Sequence, residues 1–390
     1  MRTRPRTLKT LLLAVPLGLA VAACSGGGSA SPPNADAQVV TSGAAIVIGT
    51  TLPITGSLGR LGQPLEAGYQ QEIADVNAAG GIAVGGSKEK LKLVVLDNGG
   101  DPGRAASQAA ELVQHDHAVA LLGSATPETV MPTAVVAEQL RVPFVTSQVP
   151  VEAFASGDKT GWTYSWDLFY DEQQQATDAA KALATAAGDK KVVLFTDDEP
   201  DDVVERPLYE AAFKADGLDV VGDYTFPVGT TDFSSFIADA KASGAQLVAG
   251  QLAQSDGTAL VKQLTSSQFR PKAAFLAGTS DAGYQSPAPG RPAQDTLSAG
   301  YWSPGQASAG QLAIIGPTLG RKYAGSPDYA PAAVAYAVAE VLTDALAAVG
   351  STTPARLNTA ISRTDARTTA GLIKFSLVTH TAITAYHVTG

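Results

Sequence analysis

Short, wholly apolar runs alternate with amphipathic helical stretches along most of this chain, and that alternation restricts the fold more than any other feature. Ala44–Gly49 (AAIVIG) reads as a parallel strand covered on both faces. Between Pro64 and Val76, Leu65, Tyr69, Ile73 and Val76 recur at helical spacing, and Leu91–Leu96 is the next strand. Asp101 as N-cap with Pro102 at N1 opens a helix to about His115. Ala118–Leu122 (strand), Pro127–Leu140 (helix) and Val142–Thr146 (strand) continue the winding.

The aromatic segment Gly161–Tyr170 interrupts that pattern, after which a second series begins. Strands are predicted over Lys191–Phe195, Asp219–Phe226, Ala245–Gly250 and Ala273–Ala277. Helices are predicted over Glu205–Ala215, Phe233–Ala242 and Thr258–Ser266. A late helix aligns Val334, Val338, Val341, Leu342 and Ala345, and a terminal hairpin has Leu372–Val378 and Ile383–Val388 as arms. The fold class is therefore α/β, with two doubly wound Rossmann-like lobes. The body from Ala44 also exceeds the roughly 250–300 residues at which single cores stop growing.

The N-terminus carries a different signal. Arg2, Arg4, Arg6 and Lys9 precede an uncharged run from Leu11 to Ala23, too short for a membrane span but suited to a secretory leader. Ala22-Ala23-Cys24 resembles a bacterial lipobox, which makes Cys24 the expected lipidation site; two acyl chains anchor stably. As Cys24 is the sole cysteine, no intramolecular disulfide forms. Residues 25–43 are Gly/Ser/Pro-rich, a flexible tether with a reach of roughly 25 Å. No later run of about 20 apolar residues is expected, so the body reads as soluble. Leader cleavage removes four of the 27 basic residues and none of the 37 acidic ones, leaving a net charge of −14. That balance argues against nucleic acid or an anionic membrane surface as partner.

Several segments resemble the leucine/isoleucine/valine-binding family of ABC-transporter substrate-binding proteins, which have the type I periplasmic-binding fold. They are Leu52–Gly62 (LPITGSLGRLG), Asp75–Ile82 (DVNAAGGI), Leu121–Thr126 (LLGSAT), Thr230–Phe236 (TTDFSSF) and Pro327–Leu342. The resemblance implies two lobes joined by a three-stranded hinge, with crossings near 161–164, 297–302 and 368–372. The division expected is 1–23 leader, 24–43 tether, 44–162 and 299–369 lobe one, and 163–298 and 370–390 lobe two. A small solute would bind between the lobes and be handed to a permease whose ATPase subunits are separate chains. The expected protein is a monomer without cofactor or metal, on the outer face of the cytoplasmic membrane. An alternative is a sensor that presents its ligand to a membrane signalling partner.

Ligands of open α/β sheets lie beyond the carboxyl ends of the strands. The candidate contacts are Arg60, Thr126, Pro127, Thr129, Ser147, Gln148, Tyr170, Asp201, Gln251 and Asp281. Two positions where the family holds a ligand carboxylate through hydroxyls fall on Pro127 and Pro150, which have neither hydroxyl nor N–H. The family's Tyr-Gly pair at the mouth of lobe two falls on Asp201-Asp202, and its ammonium-binding acid on Asp281. With Glu128, Trp166, Phe169 and Tyr170 near the expected cleft, a cationic or neutral ligand is the alternative to an amino-acid-like one. Asp197–Asp202 (DDEPDD) also reads simply as a solvated loop.

Enzyme motifs are weak. His115-Asp116-His117 lacks a third ligand nearby, and His380 and His387 have no evident partner. Neither a GxSxG elbow nor HExxH is present, and Gly80–Lys88 has Ser87 where a phosphate loop needs lysine.

Overall fold

The computed structural model describes residues 45–187, 190–252, 254–277, 295–326, 328–384 and 387–389. Cys24, the tether and Asp281 lie outside them. The chain opens with β1 (Ile46–Leu52), α1 (Gly59–Ala78), a small hairpin of β2 (Ile82–Val84) and β3 (Ser87–Glu89), and β4 (Leu91–Asp97). It continues through α2 (Pro102–Gln114), β5 (Ala120–Leu122), α3 (Pro127–Leu140), β6 (Phe144–Thr146), α4 (Val151–Ser156) and β7 (Ser165–Phe169). The second series is α5 (Glu172–Ala187), β8 (Lys191–Asp197), α6 (Pro200–Ala215), β9 (Asp219–Phe226), α7 (Ser234–Ala242), β10 (Leu247–Gln251), α8 (Gln254–Ser266) and β11 (Ala273–Ala277). Then come β12 (Asp295–Gly300), α9 (Ala309–Ile315) with a π-helical continuation over Gly316–Gly320, α10 (Tyr329–Val349) and α11 (Pro354–Ile361). The chain closes with β13 (Asp365–Thr368), β14 (Gly371–Lys374), β15 (Thr381–Ile383) and β16 (His387–Thr389).

Two six-stranded sheets organise these elements. The first has the order β15-β7-β6-β5-β1-β4 and is parallel throughout. The second has the order β16-β12-β11-β10-β8-β9 and is parallel except where β16 meets β12. Strands such as β5, β6, β10 and β11 are buried at every position, which is why they read as continuous apolar runs.

Local signals place the helix ends. Asp101 caps α2 through Arg104 N at 2.6 Å, with Pro102 at N1. α1 starts at Gly59, a turn earlier than its apolar spacing suggests, and Gly62 in its first turn sits against the Pro53 carbonyl where any Cβ would clash. It ends where Gly80 and Gly81 take positive φ (109° and 88°). α1 packs along α10, and Gly68 lets the two backbones approach at Ala332. Contrary to the expectation of no later apolar run of that length, α10 is long and apolar enough to cross a membrane, yet 72% of its most apolar window is buried inside the protein, as in a core helix.

Two expectations are corrected. The aromatic segment does not break the first series, because β7 pairs with β6 and extends the first sheet to Phe169. The first crossing accordingly lies after Phe169 rather than at 161–164. The terminal hairpin as read also does not form. β14 pairs with β13, β15 with β7, and β16 with β12, so the two supposed arms serve different sheets. Local alternation cannot reveal such distant partners. The third crossing therefore falls between Ile383 and His387, not at 368–372.

Candidate functional site

The topology brings the carboxyl ends of both sheets together. The chain leaves the first sheet at the end of β7 and enters α5, which packs against β11 and α6. It returns at the end of β12, where Trp302 joins the core of the first lobe. It crosses again from the end of β15 to β16, which lies antiparallel on β12 with Gly300 opposite His387. All three passes leave from strand carboxyl ends, the edges that bind ligands in open α/β sheets and that would border the expected cleft.

On the lobe-one edge, Asp97 organises the loop after β1. Its Oδ1 accepts from Ile54 N (2.9 Å), Thr55 N (3.3 Å) and Gly99 N (3.0 Å), and its Oδ2 from the Thr55 hydroxyl. These bonds, led by that from Thr55, hold its pKa down at about 2. Behind the loop, Asn98 Nδ2 donates to Thr51 Oγ1 (3.1 Å) and Ser124 Oγ (3.2 Å), a buried polar brace. The motif glycines flagged this loop, but nothing local singled out Asp97 as the residue that fixes it.

Arg60 is exposed on the first turn of α1. Thr126 is the N-cap of α3 and Pro127 its first helical residue, while Glu128 is exposed in the first turn. Thr129 is fully buried and donates its hydroxyl to Thr126 O at 3.0 Å, so it closes the helix start and faces inward. Ser147 is buried after β6, and half-buried Gln148 takes φ 72° with Nε2 3.4 Å from Ser147 Oγ. Pro150 precedes α4 as its N-cap. Trp166 and Phe169 belong to the core rather than the cleft. Trp166 donates to Asn358 Oδ1 (2.7 Å) and stacks on His380 with ring centroids 3.8 Å apart. That stack gives His380 the partner its sequence context does not show. At the hinge, Tyr170 stacks on Tyr301 at 6.4 Å, with Phe169 4.9 Å from Tyr301.

On the lobe-two edge, Asp197 ends β8, Gln251 ends β10, and Asp201 and Asp202 open α6. Gln251 Nε2 donates to Asp202 Oδ1 at 2.9 Å. Burial, then the hydrogen bond and charge of Asp197, push the Asp202 carboxyl up to about 8. Asp197–Asp202 is thus a strand end and helix start, with only part of it solvated. Among the described residues, no group of three or more His, Cys, Asp or Glu is placed to hold a metal ion. Gly85 and Gly86 form the β2–β3 turn, so the phosphate-loop-like stretch is a hairpin. A groove of about 760 Å³ lies elsewhere, between α10, α11 and β13. Its position on one lobe and away from the crossings separates it from the cleft.

The family model described as periplasmic binding protein matches residues 45–390. A Leu/Ile/Val-binding protein homolog 7 from Brucella abortus is 27% identical over 268 residues, covering 67% of this chain and 63% of that protein. An amino acid binding protein from Pseudomonas aeruginosa is 27% identical over 52% of each chain. The chain thus matches under two thirds of the length of these relatives. The fold is shared with a leucine-binding protein from Thermotoga maritima (TM-score 0.69, 21% identity, 88% of this chain and 95% of that one). It is also shared with a branched-chain amino acid binding protein from Streptococcus pneumoniae in complex with isoleucine (TM-score 0.71, 20% identity, 88% and 95%). A benzoate-bound solute binding protein from R. palustris superposes similarly (TM-score 0.69, 18% identity, 88% and 92%). Matched over residues 45–390 by the family model, the chain belongs to the periplasmic binding protein family.

Proposed function

We propose that this protein is the extracytoplasmic solute-binding component of an ABC importer and traps an amino-acid-like small molecule by closing its two lobes. The observation that carries the reading is the set of three crossings at the facing carboxyl edges of the two sheets. Such a hinge lets the edges approach without repacking either core. The names of the relatives, which bind leucine, isoleucine or other amino acids, support the solute class. In this reading the leader covers 1–23, Cys24 carries the lipid, residues 24–43 tether the body, and a separate permease with its own ATPase subunits receives the cargo. Arg60, Thr126, Ser147, Gln148, Tyr170, Asp201, Gln251 and Asp281 are its proposed ligand contacts. Thr129 and Pro127 shape the α3 start.

A thermal-shift screen of branched-chain amino acids, polyamines and aromatic acids tests the binding. Saturable stabilisation by one class, without turnover of the ligand, is expected; chemical conversion of the ligand would refute the reading. Cys24→Ser is expected to release the protein from the membrane fraction and abolish uptake of that solute, and an unchanged distribution would refute lipid anchoring.

A further inference from the structure

The loop Phe375–His380 between β14 and β15 carries Leu377 and Val378, 68% and 88% exposed, the two most exposed large apolar side chains among the described residues. Apolar side chains gathered at one tip mark interaction surfaces, whereas scattered ones do not. The loop has a definite place in the fold. β15 runs parallel to β7, and His380 Nδ1 lies 3.2 Å from Ser165 O at the start of β7. The loop therefore stands at the amino edge of the first sheet, opposite the carboxyl edge expected to border the cleft. The N-terminal segment joins the body at this same edge, because β1 belongs to the same parallel sheet and begins at Ile46. α11 borders the edge too, since Asn358 Nδ2 donates to Thr163 O (2.7 Å) just before β7.

Charge around the loop departs from that of the chain. From Ala345 to the C-terminus there are four basic residues and one acid, Asp365, whereas the whole chain has 37 acids against 27 bases. Asp365 is engaged by Lys374 at 2.7 Å. Arg356 and Arg363 are exposed, line the groove between α10, α11 and β13, and make no ion pair among the described residues. Arg367 lies opposite Leu372, 58% exposed, on the ribbon face that holds the Asp365–Lys374 pair. Two further acids border the region. Burial raises the Asp344 carboxyl in the groove, and Glu138 accepts from Thr163 N (3.1 Å) and Tyr164 N (2.7 Å).

We propose that this amino edge of lobe one docks on an anionic phospholipid bilayer, with Leu377 and Val378 entering the headgroup region and Arg356, Arg363 and Arg367 meeting lipid phosphates. The negative balance of the whole chain argues against such a surface in general, but it does not describe this edge. The inference rests on the N-terminal anchoring proposed above, which holds the edge where the chain enters the body within a tether's reach of the bilayer. Basic side chains near an anionic surface and apolar side chains inserted beside them act together. Contact of this size is weak and reversible, so it orients the body and does not replace the anchor. In that orientation the carboxyl edge of lobe one points away from the bilayer, open to arriving solute.

Val378→Cys, made in the full chain with Cys24→Ser, carries an environment-sensitive fluorophore and is mixed with vesicles of phosphatidylcholine alone or with about 30% phosphatidylglycerol. The same label on Val228→Cys, beyond the carboxyl end of β9 in lobe two, is the control. The label at 378 is expected to shift to the blue and be quenched by brominated lipid with the anionic vesicles only, while the label at 228 stays in water with both. Arg356→Gln with Arg363→Gln should weaken binding about fivefold per arginine, and added salt should weaken it too. Leu377→Ser should weaken co-sedimentation with the same vesicles. Circular dichroism confirms that each variant is folded. A label at 378 that stays in water, or that is buried equally in neutral and anionic vesicles, would overturn the proposal. So would unchanged affinity in the double arginine variant, or burial that appears only when membrane proteins are added, which would point to a protein partner instead. These chains lack Cys24, so such a failure leaves lipid anchoring untouched; the membrane-fraction distribution of the chain with its native Cys24 reads that separately.

Discussion

Glu72 on α1 makes the packing of α1 against α10 sensitive to pH. Its side chain is buried between α1 and α10, accepting from Thr343 Oγ1 at 2.6 Å. Burial, assisted by the charges of Glu340 and Asp344, raises its pKa from 4.5 to about 7, against the opposing pull of the Thr343 and Tyr336 hydroxyls. A folded-state value above the unfolded one means stability that is fully present below about 4.5 and is lost as pH rises through about 7. At about 1.4 kcal/mol per unit, the loss by pH 8.5 is about 3 kcal/mol. Glu72→Gln keeps the acceptor for Thr343 and removes the ionisation. Urea unfolding at pH 5 and 8.5, followed by tryptophan fluorescence, reads lobe one alone, because all three tryptophans (Trp162, Trp166 and Trp302) sit in its cores. Part of that loss has already occurred at pH 5, so the variant is expected to be about 2.5 kcal/mol less sensitive to that pH change than the parent. An identical pH dependence in the two proteins would refute the reasoning.

Asp167 has both carboxyl oxygens buried without a hydrogen-bond partner, and burial raises it well above the usual carboxylate range. Asp167→Asn should therefore raise the denaturation midpoint at pH 8.5 and change it less at pH 5; destabilisation at both pH values would contradict this. Gly68→Val should lower lobe-one stability by about 1–3 kcal/mol or more, since the added carbons meet the Ala332 carbonyl and Ala335; calorimetry reads the loss. Asp97 lies low, so its contribution is present above pH 3.8 and is lost as pH falls through about 2. Asp97→Ala should speed hydrogen exchange at Ile54, Thr55 and Gly99 and weaken ligand binding, whereas unchanged exchange would show the loop is held otherwise.

The residues show unevenly how much of this was readable. The covered parallel strands stood out because both faces need apolar side chains, and Ala273–Ala277 has the bounds read from sequence; the edge strand Asp219–Phe226 has them too, although it is mostly half-buried or exposed. β7 did not, because Ser165 and Asp167 are buried polar residues among aromatics, so its pattern imitates a break. The last strands hydrogen-bond to β7 and β12, partners more than 80 residues away, which local alternation cannot report. Strand ends located the cleft edges through a general rule of α/β folds. The inward turn of Thr129 and the clamp of Asp97 depend on three-dimensional neighbours, so no spacing announced them.

The central claim is that a solute is held between the two sheet edges by hinge closure. With Cys24→Ser removing the sole native cysteine, Ser57→Cys and Val228→Cys place labels on exposed sites of the two facing edges. The distance between them, measured by spin-label pulsed dipolar spectroscopy with and without the ligand found by the thermal-shift screen, is expected to shorten by several ångströms on binding. Saturable binding with an unchanged distance distribution would contradict the account.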